Sequence, residues 1–298
     1  MKILISGSHG LVGSALIKAL EPDGHEIYRL VRHYPGAANE IEWSPERYSI
    51  ALSLIEGFDA VVHLAGESIA EGRWTDEKKK RIRESRTRGT KLLADALGNL
   101  TDPPRVLISA SAIGYYGDRG EEVLIESSPP GNDFLSTVCV EWENSTSHAT
   151  AKGIRVMNAR FGIILDKEGG ALKKMLPPFR MGVGGRIGSG KQWMSWIALD
   201  DVVSGLKLAL TNESLSGPVN FVAPNPVRNA EFTKTLGLEL SRPTILPIPA
   251  FGVRFAFGEM ADALLLSSQR VEPKVLNEAG FQFKFSDLRS ALSHVIKN

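Results

Sequence analysis

The chain of 298 residues has one cysteine, Cys139, so no intrachain disulfide can form and a reducing compartment is expected. No apolar run approaches the roughly 18–20 residues that a membrane-spanning helix needs. Neither sign of charge is in surplus. Against 34 acidic residues stand 35 Lys and Arg, a net charge of +1, which gives no field to attract nucleic acid or an anionic membrane. The six histidines (His9, His25, His33, His63, His148 and His294) show no ligand spacing, so no metal site is expected. Aromatics make up 7%, hydrophobic residues 43% and charged residues 23%, ordinary globular figures that exclude disorder as the main state. Met1-Lys2-Ile3-Leu4-Ile5-Ser6-Gly7 reads at once as a buried strand, with no cleavable signal before it. The expectation is a cytoplasmic globular protein with a small-molecule partner.

What is present is an alternation. Short apolar runs at 2–6, 26–31, 59–64, 105–109 and 154–160 are separated by helical patterns at 11–20, 75–97 and 134–151. Strand and helix in turn imply a parallel sheet covered on both faces. The fold class is therefore α/β: a Rossmann-type doubly wound parallel sheet, followed by a smaller C-terminal α+β portion. Segments 36–44 and 129–133 read as loops, and after Leu165 the glycines and Pro177-Pro178 read as long connections. A strand at 193–197, a helix from 200 to 210 and a strand at 219–222 follow. The tail reads as 229–240, 251–266, a strand at 281–285 and a helix at 286–296. The division is 1–222 for a nucleotide-binding domain and 223–298 for a substrate-covering one, with part of 166–192 contributing to the cleft.

The chemistry-bearing motif is Gly7-Ser8-His9-Gly10-Leu11-Val12-Gly13, glycines three apart between the first strand and the first helix. Such glycines permit a tight turn, close approach of backbone to a pyrophosphate, and close helix–strand packing, while the helix N-terminus offers free N–H groups to phosphate. The second strand ends Val31-Arg32. An acidic residue there would grip a ribose 2′-hydroxyl, whereas the Arg32 guanidinium suits a 2′-phosphate and selects NADP.

His63-Leu64-Ala65-Gly66 and Ser109-Ala110-Ser111 resemble the extended short-chain dehydrogenases/reductases, as does Gly188-Ser189-Gly190-Lys191-Gln192 with Trp196–Val202 beyond it. Trp74, Ser85-Arg86, Trp142-Glu143 and Gly258-Glu259 resemble an atypical branch, the NAD(P)-dependent "epimerase family proteins", some of which carry a SulA-type cell-division inhibitor label. The resemblance implies NADP contacts from residues 7 to 13, Arg32, Leu64, Ala65, Gly66, Ser109 and Arg160. It also implies homodimers in many members.

The departures are as informative. Counting back from Gly153 and Arg155, the superfamily's catalytic Tyr-x-x-x-Lys pair falls on Leu135 and Cys139, on an apolar helical face with Trp142. The register of an arginine that contacts the diphosphate of sugar nucleotides holds Met194. An asparagine four before Thr90 is replaced by Arg86, in a run from Lys78 to Lys91 that otherwise reads as a solvated face. Arg81 and Arg86 remain placed to reach cofactor phosphate or substrate.

Ser111 fits the serine that hydrogen-bonds a substrate oxygen, and Tyr115, Tyr116 and Glu67 are the remaining proton donors or acceptors. Gly185–Lys191 mimics a phosphate loop, but Gln192 stands where a magnesium-binding Ser or Thr is required. The expected function is an NADP-binding oxidoreductase or isomerase acting on a small carbonyl or alcohol. The rival is a non-catalytic NADPH-binding sensor or scaffold.

Overall fold

The apolar runs become strands buried on both faces. The computed structural model describes residues 1–297 and places β1 (Lys2–Ser6), β2 (Glu26–Val31), β3 (Glu40–Ser44), β4 (Ser49–Ile50), β5 (Ala60–His63), β6 (Val106–Ala112), β7 (Arg155–Phe161) and β8 (Gly217–Phe221) in one sheet. Their spatial order is β8-β7-β6-β5-β1-β2-β3-β4, parallel throughout except for the β3–β4 edge. The direction of winding reverses between β1 and β5. In such sheets the crevice for a ligand opens beyond the carboxyl ends at that reversal, here at Gly7 and at Leu64–Gly66.

Period-two alternation divides the core. Ile3 and Ile5 of β1 face one layer, where α1 (Leu11–Leu20) and a later helix at Leu199–Thr211 pack through Leu16, Leu20, Val202 and Leu206. Leu4, Val61 and Leu107 face the other, met by Leu92, Leu93 and Leu97 of α2 (Asp76–Gly98). The segment read as one helix over 134–151 is two, α3 (Phe134–Asn144) and α4 (Ser147–Ala151). The remaining helices are α5 (Gly170–Arg180), α6 (Leu199–Thr211), α7 (Asn229–Glu239), α8 (Ala250–Phe257), α9 (Lys274–Glu278) and α10 (Leu288–Lys297). Residues beyond 222 do not pack among themselves alone. Phe232, Leu236, Leu288 and Leu292 share a cluster with Leu165, Leu172 and Trp196.

Three segments depart from the sequence reading for definite physical reasons. Glu40–Ser44, read as loop, is β3, because Ile41 and Trp43 alternate inward with polar neighbours outward. Pro177 and Pro178 lie inside α5; burial of Leu172, Leu176 and Phe179 along one face outweighs the amide hydrogen bonds that the prolines cannot make. Phe281–Phe285 alternates like a strand but forms none. Its amides are claimed instead by a buried carboxylate: Asp201 accepts from Lys284 N at 2.7 Å and from Phe285 N at 3.1 Å. Replacing Asp201 with Ala should leave both amides unsatisfied and lower unfolding stability by about 3 kcal/mol, read by urea titration. A loss below about 1 kcal/mol would mean that this carboxylate does not anchor the tail.

Candidate functional site

The glycine loop owes its shape to close backbone contacts. Gly7 has φ +69°, and a Cβ there would lie 2.7 Å from the Leu64 carbonyl carbon. A Cβ on Gly13 would lie 2.3 Å from the Gly7 oxygen, so no side chain fits at either position. Gly10 N donates to Gly7 O at 2.9 Å, closing the turn, and α1 starts immediately after it. This helix has no side-chain N-cap and no acidic residue in its first turn. Its first N–H groups and its positive end are thus left for an anion. Ser8 is buried, His9 is exposed, and Leu11 is held against Gly169. Arg32 is exposed just past β2 and makes no hydrogen bond or ion pair among the described residues. The donor set fits a dinucleotide carrying an extra phosphate.

Leu64, Ala65 and Gly66 run past the loop from β5, with Leu64 N donating to the Ser6 backbone oxygen at 3.2 Å. Ser109 is fully buried inside β6. The two basic residues assigned from α2 part company here. Arg81 Nε donates to Glu67 Oε1 at 3.2 Å, whereas Arg86 lies against Gly66 and over the Trp142 ring at 5.0 Å. Glu67 is also bound by Lys78 at 2.6 Å, and the Lys78 hydrogen bond holds its carboxyl below the usual range. Glu67 is therefore a charged anchor for its loop, ill suited to donate a proton near neutral pH.

At the end of β6 the structure assembles a buried polar chain. Ser111 Oγ donates to Glu143 Oε1 at 2.7 Å, and Glu143 forms a two-pronged pair with Arg160 at 2.8 Å on each oxygen. Arg160 Nη1 reaches the Tyr116 hydroxyl at 2.9 Å, and that hydroxyl donates to Asn220 Oδ1 at 2.7 Å. Tyr116 is fully buried, and burial pushes its pKa up to about 12. It is a strut in this chain, and its hydroxyl does not reach an open cleft. Arg160, expected among the cofactor contacts, is committed to Glu143. Tyr115 is half-exposed and lies flat on the Arg160 guanidinium at 3.5 Å, a cation–π contact.

Leu135 and Cys139 stand buried beside Gly114, and burial pushes the thiol up to about 12, so neither replaces the tyrosine and lysine. Sequence reasoning gave Glu143 no role in the site and missed Asn220. The sequence marks Glu143 only within Trp142-Glu143, and Asn220, 104 residues from Tyr116, carries no signal. No group of three or more His, Cys, Asp or Glu residues is arranged to hold a metal ion among the described residues.

Behind the site runs a second chain. Trp142 Nε1 donates to Thr90 Oγ1 at 2.9 Å, Thr90 meets His63 Nε2 at 3.0 Å, and His63 Nδ1 meets Ser6 Oγ at 2.6 Å. Burial lowers the pKa of His63 to about 4. Below pH 6.5 the unfolded chain protonates at this residue before the folded chain does, so stability falls as pH drops from 6.5 towards 4. Urea unfolding at pH 7.5 and 4.5 should show roughly 2–3 kcal/mol more acid loss in the wild type than in His63→Gln. Equal losses would contradict a neutral buried imidazole.

Relatives share this architecture. The model of the NAD dependent epimerase/dehydratase family matches residues 3–222, and a domain of unknown function matches residues 248–295. An epimerase family protein of Mycobacterium tuberculosis is 44% identical over 98% of this chain and 96% of its own length. The crystal structure of human epimerase family protein SDR39U1 (isoform 2) with NADPH superposes with a TM-score of 0.93 at 34% identity, covering 100% of both chains. A nucleoside-diphosphate sugar epimerase from Corynebacterium glutamicum superposes at 0.82 and 38% identity, over 99% of this chain and 58% of that one. With its glycine loop, its strand order and a family match over most of its length, the chain belongs to the NAD-dependent epimerase/dehydratase family.

Proposed function

We propose that this protein is an NADP(H)-dependent oxidoreductase or isomerase acting on a small carbonyl or alcohol. The observation that carries the cofactor half is the pairing of an uncapped, acid-free α1 terminus with an unpartnered Arg32 at the end of β2. The NADPH bound to the human relative supports the same reading. In this proposal the α1 N–H groups take the pyrophosphate, Arg32 the 2′-phosphate, and Leu64, Ala65 and Gly66 line the path towards the reactive end, with Ser109 buried behind them. The cofactor supplies hydride chemistry when bound.

The chain's own residues then hold the substrate oxygen. Ser111 donates its hydrogen bond to Glu143, and a carboxylate paired with a guanidinium has no proton to donate back. Ser111 Oγ thus presents lone pairs, which accept a hydrogen bond from a substrate hydroxyl. Tyr115 is the partly exposed phenol of the two, and it takes the proton-handling role in this reading. A second reading, cofactor binding without turnover, is favoured by one specific observation: Leu135 and Cys139 are buried where the superfamily keeps its Tyr-x-x-x-Lys pair.

Titration of the purified protein with NADPH and NADH, read by ligand fluorescence, tests the cofactor assignment. NADPH should bind tighter, and Arg32→Ala should weaken it by roughly tenfold or more while leaving NADH nearly unchanged, since a charge-assisted phosphate contact is being removed. Equal binding of the two cofactors would remove the role of Arg32. Ser111→Ala separates the two functional readings. Loss of turnover at unchanged NADPH affinity marks an enzyme, whereas an unaltered protein marks a sensor.

A further inference from the structure

The basic run on α2 is almost completely neutralised. Lys78 and Arg81 share Glu67, Lys79 pairs with Glu259, Lys80 with Glu84, Arg83 with Glu141 and Lys91 with Asp95. Arg88 donates to the Glu46 carbonyl at 2.7 Å. Arg86 differs from all of these. Its guanidinium is partly buried, its one hydrogen bond among the described residues goes back to Ile82 O in its own helix at 3.1 Å, and it has no carboxylate partner. Glu67 acts on it only at a distance, being already held by two other cations. Cys139, also nearby, is a neutral thiol.

Its position gives this unspent charge a purpose. The guanidinium lies against Gly66 on one side and over the Trp142 ring on another. Gly66 is two residues beyond Leu64, where the glycine loop touches, so Arg86 is displaced along the strand end from the α1 terminus that suits a pyrophosphate. On the other side it lies over Trp142, whose neighbour on α3, Glu143, accepts from Ser111. A desolvated guanidinium with free planar N–H pairs matches a carboxylate better than any neutral group. Buried charges are paired, and the pairing anion here is not supplied by the described chain.

We infer that Arg86 is the anion subsite of the substrate pocket, so that the ligand is a small hydroxy-carboxylate whose carboxylate pairs with Arg86 and whose hydroxyl donates to Ser111. The inference rests on the cofactor-dependent reading above and deepens it by naming the substrate class. It also accounts for the chain's departure from its superfamily: the positive charge absent from α3 at Cys139 is provided from α2.

The test uses the full chain, alone and saturated with NADPH. Lactate, 3-hydroxybutyrate and glycolate are titrated against the uncharged lactamide, with thermal midpoint and bound-NADPH fluorescence as readouts. The carboxylates should raise the midpoint and alter the fluorescence, and lactamide should not. Arg86→Met should weaken the carboxylate effect at least tenfold, keep NADPH affinity within threefold, and raise the melting temperature of the ligand-free protein, because an unpaired buried charge has been removed. Arg86→Lys should retain part of the effect.

A carboxylate response that survives in Arg86→Met overturns the inference, as does its absence from the wild type. A loss of NADPH affinity beyond threefold also overturns it, by making Arg86 a cofactor contact. Failure of the wild type to bind NADPH sinks the cofactor reading separately, and the titrations on the protein alone still decide the anion subsite.

Discussion

The pairing of Glu143 with Arg160 is the interaction on which the site depends. It ties α3 to β7 in the middle of the molecule, and each partner also holds a group that the site needs. Glu143 fixes Ser111; Arg160 fixes Tyr116 and supports the ring of Tyr115. Both charges are nearly out of water, with 2% and 12% side-chain exposure for Arg160 and Glu143. Removing one partner of such a pair leaves the other uncompensated at a cost of about 3–5 kcal/mol, far more than the pair gains over a well-packed apolar replacement. The arrangement therefore favours specificity of geometry over stability. It determines which way one serine proton points.

Arg86 and the pair obey the same rule with opposite outcomes. Within Glu143 and Arg160 the protein meets its own electrostatic need, whereas at Arg86 it leaves the need open. The first condition makes a rigid frame, and the second makes a site that gains stability only when something binds. Functional centres are commonly distinguished in this way from structural ion pairs of the same composition.

How much could be read beforehand followed from the range of each interaction. Lys2–Ser6 and Leu11–Leu20 emerged with the same bounds in sequence and structure because an apolar run, a glycine turn and a helical stripe are all local. The strand at Glu40–Ser44 was equally local; its Ile41 and Trp43 alternation was outweighed by the neighbouring Pro and Gly content. The fate of Phe281–Phe285 was not local at all, since Asp201 lies more than 80 residues earlier. The same division runs through the site. Gly7, Gly10 and Gly13 announce themselves by spacing. Tyr116 and Glu67 looked like acids or bases until Asn220, Lys78 and Arg81 arrived from elsewhere in the chain.

The shared cluster of α10 with Leu165 and Trp196 has a consequence for biosynthesis. Leu288, Ala291 and Leu292 close a core to which Leu165, Leu172 and Trp196, made more than 90 residues earlier, also belong. Until they emerge, Trp196 and Leu172 have no complete apolar cover, so the nascent chain must carry an open hydrophobic face while the residues between are made. Folding of this part is thereby deferred, and a ribosome stalled before residue 288 would hold out a sticky, unfinished protein for chaperones to shield.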